Sequence, residues 1–316
     1  MVISGEVVVA GNLVEDVVAR PVGEIAWGAT AWVESIEHHL GGNGANTSFT
    51  LATLGVPVRL RGAVGKDEAG GRVLAMLASA GVNLDSIDRR DAPTASTVVL
   101  VAEGGSRSFL HAPGVSREVF FEPGDFSGKP GHFHLANIFS LPHMRRTGPE
   151  TLARAVRAGW STSLDTGHDT KNEWMTVLGP CLEHIGILFA NEAEARRISG
   201  QVELRAAARV FLDRGVKTVV IKRGGDGCAV FDGPREVWAS GFAVQAVDTT
   251  GAGDCFTGGF LAGLYKGGTM VDAARLGNAC GALSASRMGS VSGLSQGLNA
   301  YHETIRWIEQ NSTNGR

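Results

Sequence analysis

The chain has 316 residues, among them 44 glycines and 10 prolines, is 43% hydrophobic, and carries a formal charge of -3 from 29 basic and 32 acidic side chains. The glycine share is about twice the usual one, yet no Gly-X-Y period runs through the sequence, so it is neither collagen nor a low-complexity coil and its glycines belong to turns and close backbone contacts. A nearly balanced charge with no basic block excludes an electrostatic footprint for nucleic acid or an anionic membrane and points to small-molecule partners.

Taken in chain order, Glu6 to Ala10 reads as a strand that stops at Gly11, and residues 14 to 38 alternate in short strand-like stretches. A helix is expected from about Asn43 to Leu54, a strand from Val58 to Gly62, and a helix from Glu68 to Ala80 behind an Asp67 cap. Thr97 to Ala102 and Arg107 to Leu110 form a hairpin pattern around Glu103-Gly104-Gly105-Ser106. From His132 onward, strands (132 to 136, 161 to 164, 186 to 189, 218 to 221) alternate with helices (150 to 158, 172 to 182, 192 to 199, 203 to 214). A hairpin around Asp232-Gly233 and helices near 252 to 266, 270 to 287 and 297 to 310 complete the chain, and the tail from Asn311 reads as frayed. The fold class is therefore α/β: one doubly wound domain over residues 1 to 316, its mostly parallel sheet flanked by helices, with the segments near 13 to 38 and 95 to 112 pairing into a small β-sheet lid.

No signal-peptide pattern or membrane-length apolar run is present, and Cys181, Cys228, Cys255 and Cys280 lack CxxC or zinc spacing, so a cytoplasmic protein with reduced, buried thiols is expected. His132 and His134 share a strand face, but no third ligand follows at zinc spacing, nor is there a GxSxG elbow or HExxH motif.

The segment Asp248-Thr249-Thr250-Gly251-Ala252-Gly253-Asp254 runs into a helix with Phe256, Phe260, Leu261 and Leu264 at helical spacing. Small residues at a helix N-terminus leave backbone amides open to anionic oxygens, and a neighbouring carboxylate can accept a proton. Standing alone, the same segment would be an ordinary turn in which Asp254 complements the helix dipole. Upstream, Gly41-Gly42-Asn43-Gly44-Ala45-Asn46 opens a helix, and Gly62-Ala63-Val64-Gly65-Lys66-Asp67 follows the next strand.

Together these segments resemble the two signatures of the ribokinase/PfkB family of carbohydrate kinases, about 200 residues apart and in order. The resemblance implies a ribokinase-like fold and an ATP-dependent kinase, with Asp254 as base and Gly251, Ala252 and Gly253 as anion hole. It places substrate hydroxyls on Asp16, Gly41, Gly42, Asn46 and Asn137. Asn191 and Glu194 match the family's NxxE motif, with Glu194 holding Mg2+ through water. Lys222, Gly224 and Gly227 match its nucleotide-binding glycine stretch, with Lys222 a departure at the first position, and Asn278 matches an adenine-side asparagine. A monovalent cation such as K+ is implied on carbonyls of Asp248, Thr250, Ser284, Arg287 and Gly289.

Asn43 stands where phosphofructokinase-like and ribokinase-like members carry Lys, which disfavours a phosphorylated acceptor, and Asn137 stands where ribokinase places a Glu. The expected acceptor is a free sugar or related polyol. A nucleoside is the alternative, with Trp27 or Trp32 stacking on a base, and a non-catalytic sugar sensor is a third reading. The lid aromatics are read equally as homodimer contacts.

Overall fold

The computed structural model describes residues 3–118, 126, 128–294 and 300–312. Its larger sheet contains β1 (Val7–Ala10), β4 (Val58–Gly65), β5 (Ile87–Arg90), β8 (His132–Ala136), β9 (Ser161–Asp165), β10 (Ile187–Asn191), β11 (Thr218–Lys222), β12 (Cys228–Asp232) and β13 (Arg235–Ala239). The order is β13-β12-β11-β10-β9-β8-β1-β4-β5, parallel from β5 to β11 and antiparallel at the β11-β12-β13 edge. The smaller sheet contains β2 (Val14–Val22), β3 (Ser35–Gly41), β6 (Ala95–Ala102) and β7 (Arg107–Ala112), in the order β3-β2-β6-β7.

β1 reads Val-Val-Val-Ala and is buried on both faces, as a central parallel strand must be. Its alternate residues serve two cores. Val7 and Val9 pack with α1 (Asn43–Thr53), α2 (Glu68–Ser79), α7 (Ala252–Tyr265) and α8 (Met270–Ala285), while Val8 and Ala10 pack with α3 (Met144–Arg157), α5 (Glu192–Ser199) and α6 (Leu204–Leu212). From β1 the chain winds toward β4 and β5 in one direction and, from β8, toward β11 in the other. The switch point between β1 and β8 opens a crevice beyond the carboxyl ends of the strands, where such sheets hold ligands.

The expected lid is the smaller sheet, with β3 reaching Gly41 rather than ending near residue 38. Glu15 anchors it to the body, because its buried carboxylate pairs with Arg72 of α2 at 2.5 Å and with His38 at 3.1 Å. Asp67 caps α2, accepting from Gly70 N at 2.9 Å.

Several elements differ from expectation. The helix expected over 172 to 182 is one turn, α4 (Met175–Leu178), followed by a 3-10 turn (Gly179–His184), since Pro180 has no N–H to continue the ladder. Conversely, α3 begins at Met144 and absorbs Gly148-Pro149, a pair that reads as a breaker but whose Gly148 is buried against Ile138. β5, a short charged edge strand, has no apolar alternation to reveal it. The last helix, α9 (Ala300–Ser312), includes Asn311 and Ser312 of the expected frayed tail, while residues 297–299 and 313–316 lie outside the described residues.

Gly11 after β1 and Gly44 in α1 touch backbone to backbone: a Cβ at Gly11 would lie 2.6 Å from the Gly44 Cα. Gly11→Ala should therefore cost about 1–3 kcal/mol by overpacking, read as a lower urea midpoint at unchanged m-value. An unchanged midpoint would show that this contact is not tight.

Candidate active site

α7 begins at Gly251, which has φ +75 and sits where a Cβ would lie 2.4 Å from the Ser290 side chain, so only glycine fits. This turn delivers Asp254 into the first helical turn, buried, where Asn43 Nδ2 donates to Oδ1 at 2.8 Å and Asn46 Nδ2 donates to Oδ2 at 2.9 Å. Ser290 Oγ donates to Asn46 Oδ1 at 2.8 Å, which fixes the amide orientation that presents Nδ2 to Asp254. Burial pushes the Asp254 carboxyl above the ordinary aspartate range and the Asp165 charge adds to this, whereas the two amides and Lys222 pull it back. A buried carboxylate with its pKa raised is the kind of group that general-base chemistry uses.

Two cavities meet at this carboxylate. A cleft of about 810 Å3 is lined by Asp165, Asn191, Glu194, Lys222, Gly224, Gly227, Ala252, Gly253 and Asn278, and a pocket of about 290 Å3 by Asn12, Asp16, Gly42, Asn46, Thr97, Phe109, His111 and Gly251. Asn43, Ser140 and Asp254 line both. The smaller sheet roofs the pocket, since Asp16, Thr97, Phe109 and His111 all lie on its strands.

Most residues singled out in the sequence converge on these cavities. Asp16 lies against Gly41, whose added Cβ would meet its carboxylate at 2.3 Å. Burial, reinforced by the Asp248, Asp254 and Glu15 charges and opposed by a Thr97 hydrogen bond, raises the Asp16 pKa to about 6. Asn137, with φ +93, lines the larger cleft rather than the pocket, and its Nδ2 donates to Asn43 Oδ1 at 3.1 Å and to Ser140 Oγ at 2.6 Å. It braces Asn43. Asn191 and Glu194 form the capping box of α5: Asn191 Oδ1 accepts from Glu194 N at 2.8 Å, and Glu194 Oε2 accepts from Asn191 N at 2.9 Å and Thr166 Oγ1 at 2.8 Å. A buried carboxylate with a free second oxygen direction suits a hydrated Mg2+, which needs few protein ligands. Asn278 Nδ2 donates to the Ala239 and Ser240 carbonyls at 3.1 and 3.0 Å and so holds the end of β13 at the cleft wall. Asp248 accepts from Thr250 N at 2.9 Å and Gly289 N at 3.0 Å, which ties the approach to α7 to the loop after α8, where Arg287 lies one turn beyond Ser284 of the helix. Trp27 and Trp32 are exposed and line neither cavity.

The structure adds residues that no motif marked. Asp165, at the end of β9, accepts from Lys222 Nζ at 2.6 Å and Thr257 Oγ1 at 2.8 Å. Burial opposes the Lys222 charge, but Asp165, Glu194 and Asp254 outweigh it and hold its pKa above the usual lysine range. Its ammonium lies beside Gly253 in the first turn of α7. Asn12 Oδ1 accepts from Asn43 N at 3.1 Å and so sets the start of α1. Cues existed only in position, since Asp165 ends β9 and Asn12 follows β1 by two residues, both at the carboxyl edge of the sheet.

His132 bridges Ser161 and Ser163 at 2.8 Å each and His134 bonds Ser163 at 2.7 Å, deep in the sheet, where burial lowers both pKa values to about 3. Among the described residues no His, Cys, Asp and Glu group could hold a metal by itself. The four cysteines are buried free thiols, and none of the described helices is long and apolar enough to cross a membrane.

Residues 4–296 match the model of the pfkB family of carbohydrate kinases. The chain belongs to that family. A sugar kinase of Archaeoglobus fulgidus, otherwise uncharacterised, is 30% identical over 79% of this chain and 99% of its own. An ATP-dependent ribose-1-phosphate kinase of Halopiger xanaduensis is 34% identical over 79% of this chain and 81% of its own. Arabidopsis thaliana ribokinase, solved with ribose and ATP, superposes with a TM-score of 0.78 at 23% identity, covering 98% of this chain and 99% of that one. The ribokinase-like fold is thus established, and the protein is a carbohydrate kinase of this family.

The two asparagines favour the ionised form of Asp254, so removing one should raise its pKa further. Asn43→Ala should move the acid limb of the kcat/KM profile to higher pH, by up to about one unit. An unmoved limb would mean that Asp254 is not the group titrating in catalysis.

Proposed function

We propose that the protein transfers the γ-phosphate of ATP to a hydroxyl of a free sugar or related polyol. The observation that carries this reading is the meeting of two unlike cavities at Asp254. On the cleft side, Lys222, the glycines near 224 to 227 and the first turn of α7 suit the phosphates and nucleotide. On the pocket side, the described lining residues include the carboxylates Asp16 and Asp254 and no lysine or arginine. His111, hydrogen-bonded to Thr97 at 3.1 Å, is held below the usual histidine range by burial, which disfavours its charged form. Such a pocket accepts hydroxyl donors and repels a phosphate, which separates this chain's proposed acceptor from that named for the Halopiger relative.

In this reading Asp254 takes the proton of the attacking hydroxyl. The amides of Gly251, Ala252 and Gly253 and the Lys222 ammonium stabilise charge spreading over the transferring phosphoryl oxygens. Glu194, through water, would hold Mg2+, which when bound neutralises charge on the donor phosphates. Asp16, with Gly41, Gly42 and Asn46 around it, orients the acceptor, and closure of the lid sheet excludes water that would compete for the phosphoryl group. The nucleoside reading retains one support: Phe109, 53% exposed on β7, lines the pocket and offers a ring face to a base. A homodimer through the lid belongs to the same proposal, since Ile36, Val98 and Leu110 stand exposed on its strands.

A coupled ADP-release screen over free aldoses, ketoses, sugar acids, nucleosides and sugar phosphates tests the assignment. Turnover is expected with an unphosphorylated sugar or polyol; turnover confined to sugar phosphates would overturn it, and turnover confined to nucleosides would replace it with the alternative. Because the Asp16 pKa is raised to about 6, its carboxylate protonates as pH falls through that value and loses acceptor capacity. Acceptor KM should therefore climb between pH 7 and 5 while nucleotide KM changes little, and a flat acceptor KM would remove Asp16 from recognition.

A further inference from the structure

Arg107 opens β7 in the lid sheet and reaches the segment ahead of α7. Its Nη1 lies 3.2 Å from Asp248 Oδ1 and its Nη2 donates to the Val247 carbonyl. The pair is enclosed, with 14% and 5% of the two side chains exposed. Asp248 lies close enough to Asp16 for its charge to bear on that carboxylate, as the Asp254 charge does. Among the described residues Arg107 is the cation paired with Asp248, and it comes from the lid.

The family resemblance implies a monovalent metal ion at this place, on carbonyls of Asp248, Thr250, Ser284, Arg287 and Gly289. The residues present do not fit an added ion. A guanidinium already rests on the Asp248 carboxylate and would repel a second cation at short range in an enclosed site. The Ser284 and Gly289 carbonyls also accept backbone bonds, from Arg287 N at 3.4 Å and Ser292 N at 3.2 Å.

We propose that Arg107 takes the place of the monovalent cation, so that the lid's own guanidinium supplies the positive charge behind the anion-hole turn and the enzyme has no requirement for K+. The charge reaches Asp248 only when β7 lies against the body, which makes it a property of the closed lid. Arg107 is a positioning residue: through Asp248 it holds the Thr250 and Gly289 amides and thereby the turn that carries Gly251 to Asp254.

This inference rests on the phosphotransfer reading, and the test is arranged to separate the two. ADP release and thermal unfolding are measured for wild type, Arg107→Ala and Arg107→Lys in KCl, NaCl and tetramethylammonium chloride at equal ionic strength. Wild type and Arg107→Lys should be indifferent to the cation in both measurements. Arg107→Ala should lose about 10²-fold or more in kcat, regain part of it with K+ or with low concentrations of guanidinium ion, and melt higher in KCl than in tetramethylammonium chloride, because an ion that binds the vacated site stabilises the fold. K+ activation of wild type, full activity of Arg107→Ala, or a loss in that variant that neither ion relieves would overturn the proposal. Absence of ADP release in every salt would instead count against the kinase reading, and the melting data would still decide the cation question.

Discussion

The constraint on which the site depends is the burial of one carboxylate at a helix N-terminus between two asparagines from another helix. Asp254 is 211 residues away in sequence from Asn43, yet the two side chains meet at 2.8 Å. For that to happen α1 and α7 must approach closely, and the sequence supplies the means. A Cβ at Gly258 of α7 would lie 2.7 Å from the Thr50 side chain of α1, and Gly44 packs on Gly11. Part of the glycine-rich composition is the consequence of holding strand ends and helices this close together, and another part serves left-handed turns such as Gly81 and Gly200.

Charge is then divided between the two sides of Asp254. Isolating a lysine from water costs several kcal/mol unless a carboxylate and further hydrogen bonds accompany it, and Lys222 has Asp165 at 2.6 Å, itself bonded to Thr257. Such a pair is weak evidence of stabilisation; in the proposed function its placement beside Gly253 answers the charge that develops during phosphoryl transfer. Across Asp254 the pocket is anionic, and its lid closes with a guanidinium on Asp248. In the proposed function this arrangement keeps cationic groups for the donor phosphates and hydroxyl acceptors for the substrate.

The parts of this account that were legible in the sequence are those encoded by neighbouring residues. Gly251-Ala252-Gly253-Asp254 announces a turn into a helix, Asn191 and Glu194 at i and i+3 form the observed capping box, and the β6-β7 hairpin is signalled by its glycines. Asp165, Asn12, Ser290 and Arg107 were not legible, because each acquires its role from strand order and from partners far along the chain. Asp165 closes an unremarkable Ser-Thr-Ser-Leu-Asp strand, and only the β9-β10-β11 pairing brings it to Lys222. The two helix differences have unlike origins. Pro149 and Pro180 look alike as breakers, but tertiary packing retains one inside α3 while the other ends α4.

The central claim, that Asp254 is where the two reactants exchange a proton and a phosphoryl group, is tested most directly by Asp254→Asn, which keeps shape and removes the base. Turnover with the identified acceptor is measured beside calorimetric affinities for that acceptor and for ATP. The expected kcat is lower by about 10²–10⁴-fold, with both affinities close to wild type. A variant that turns over at the wild-type rate would contradict it.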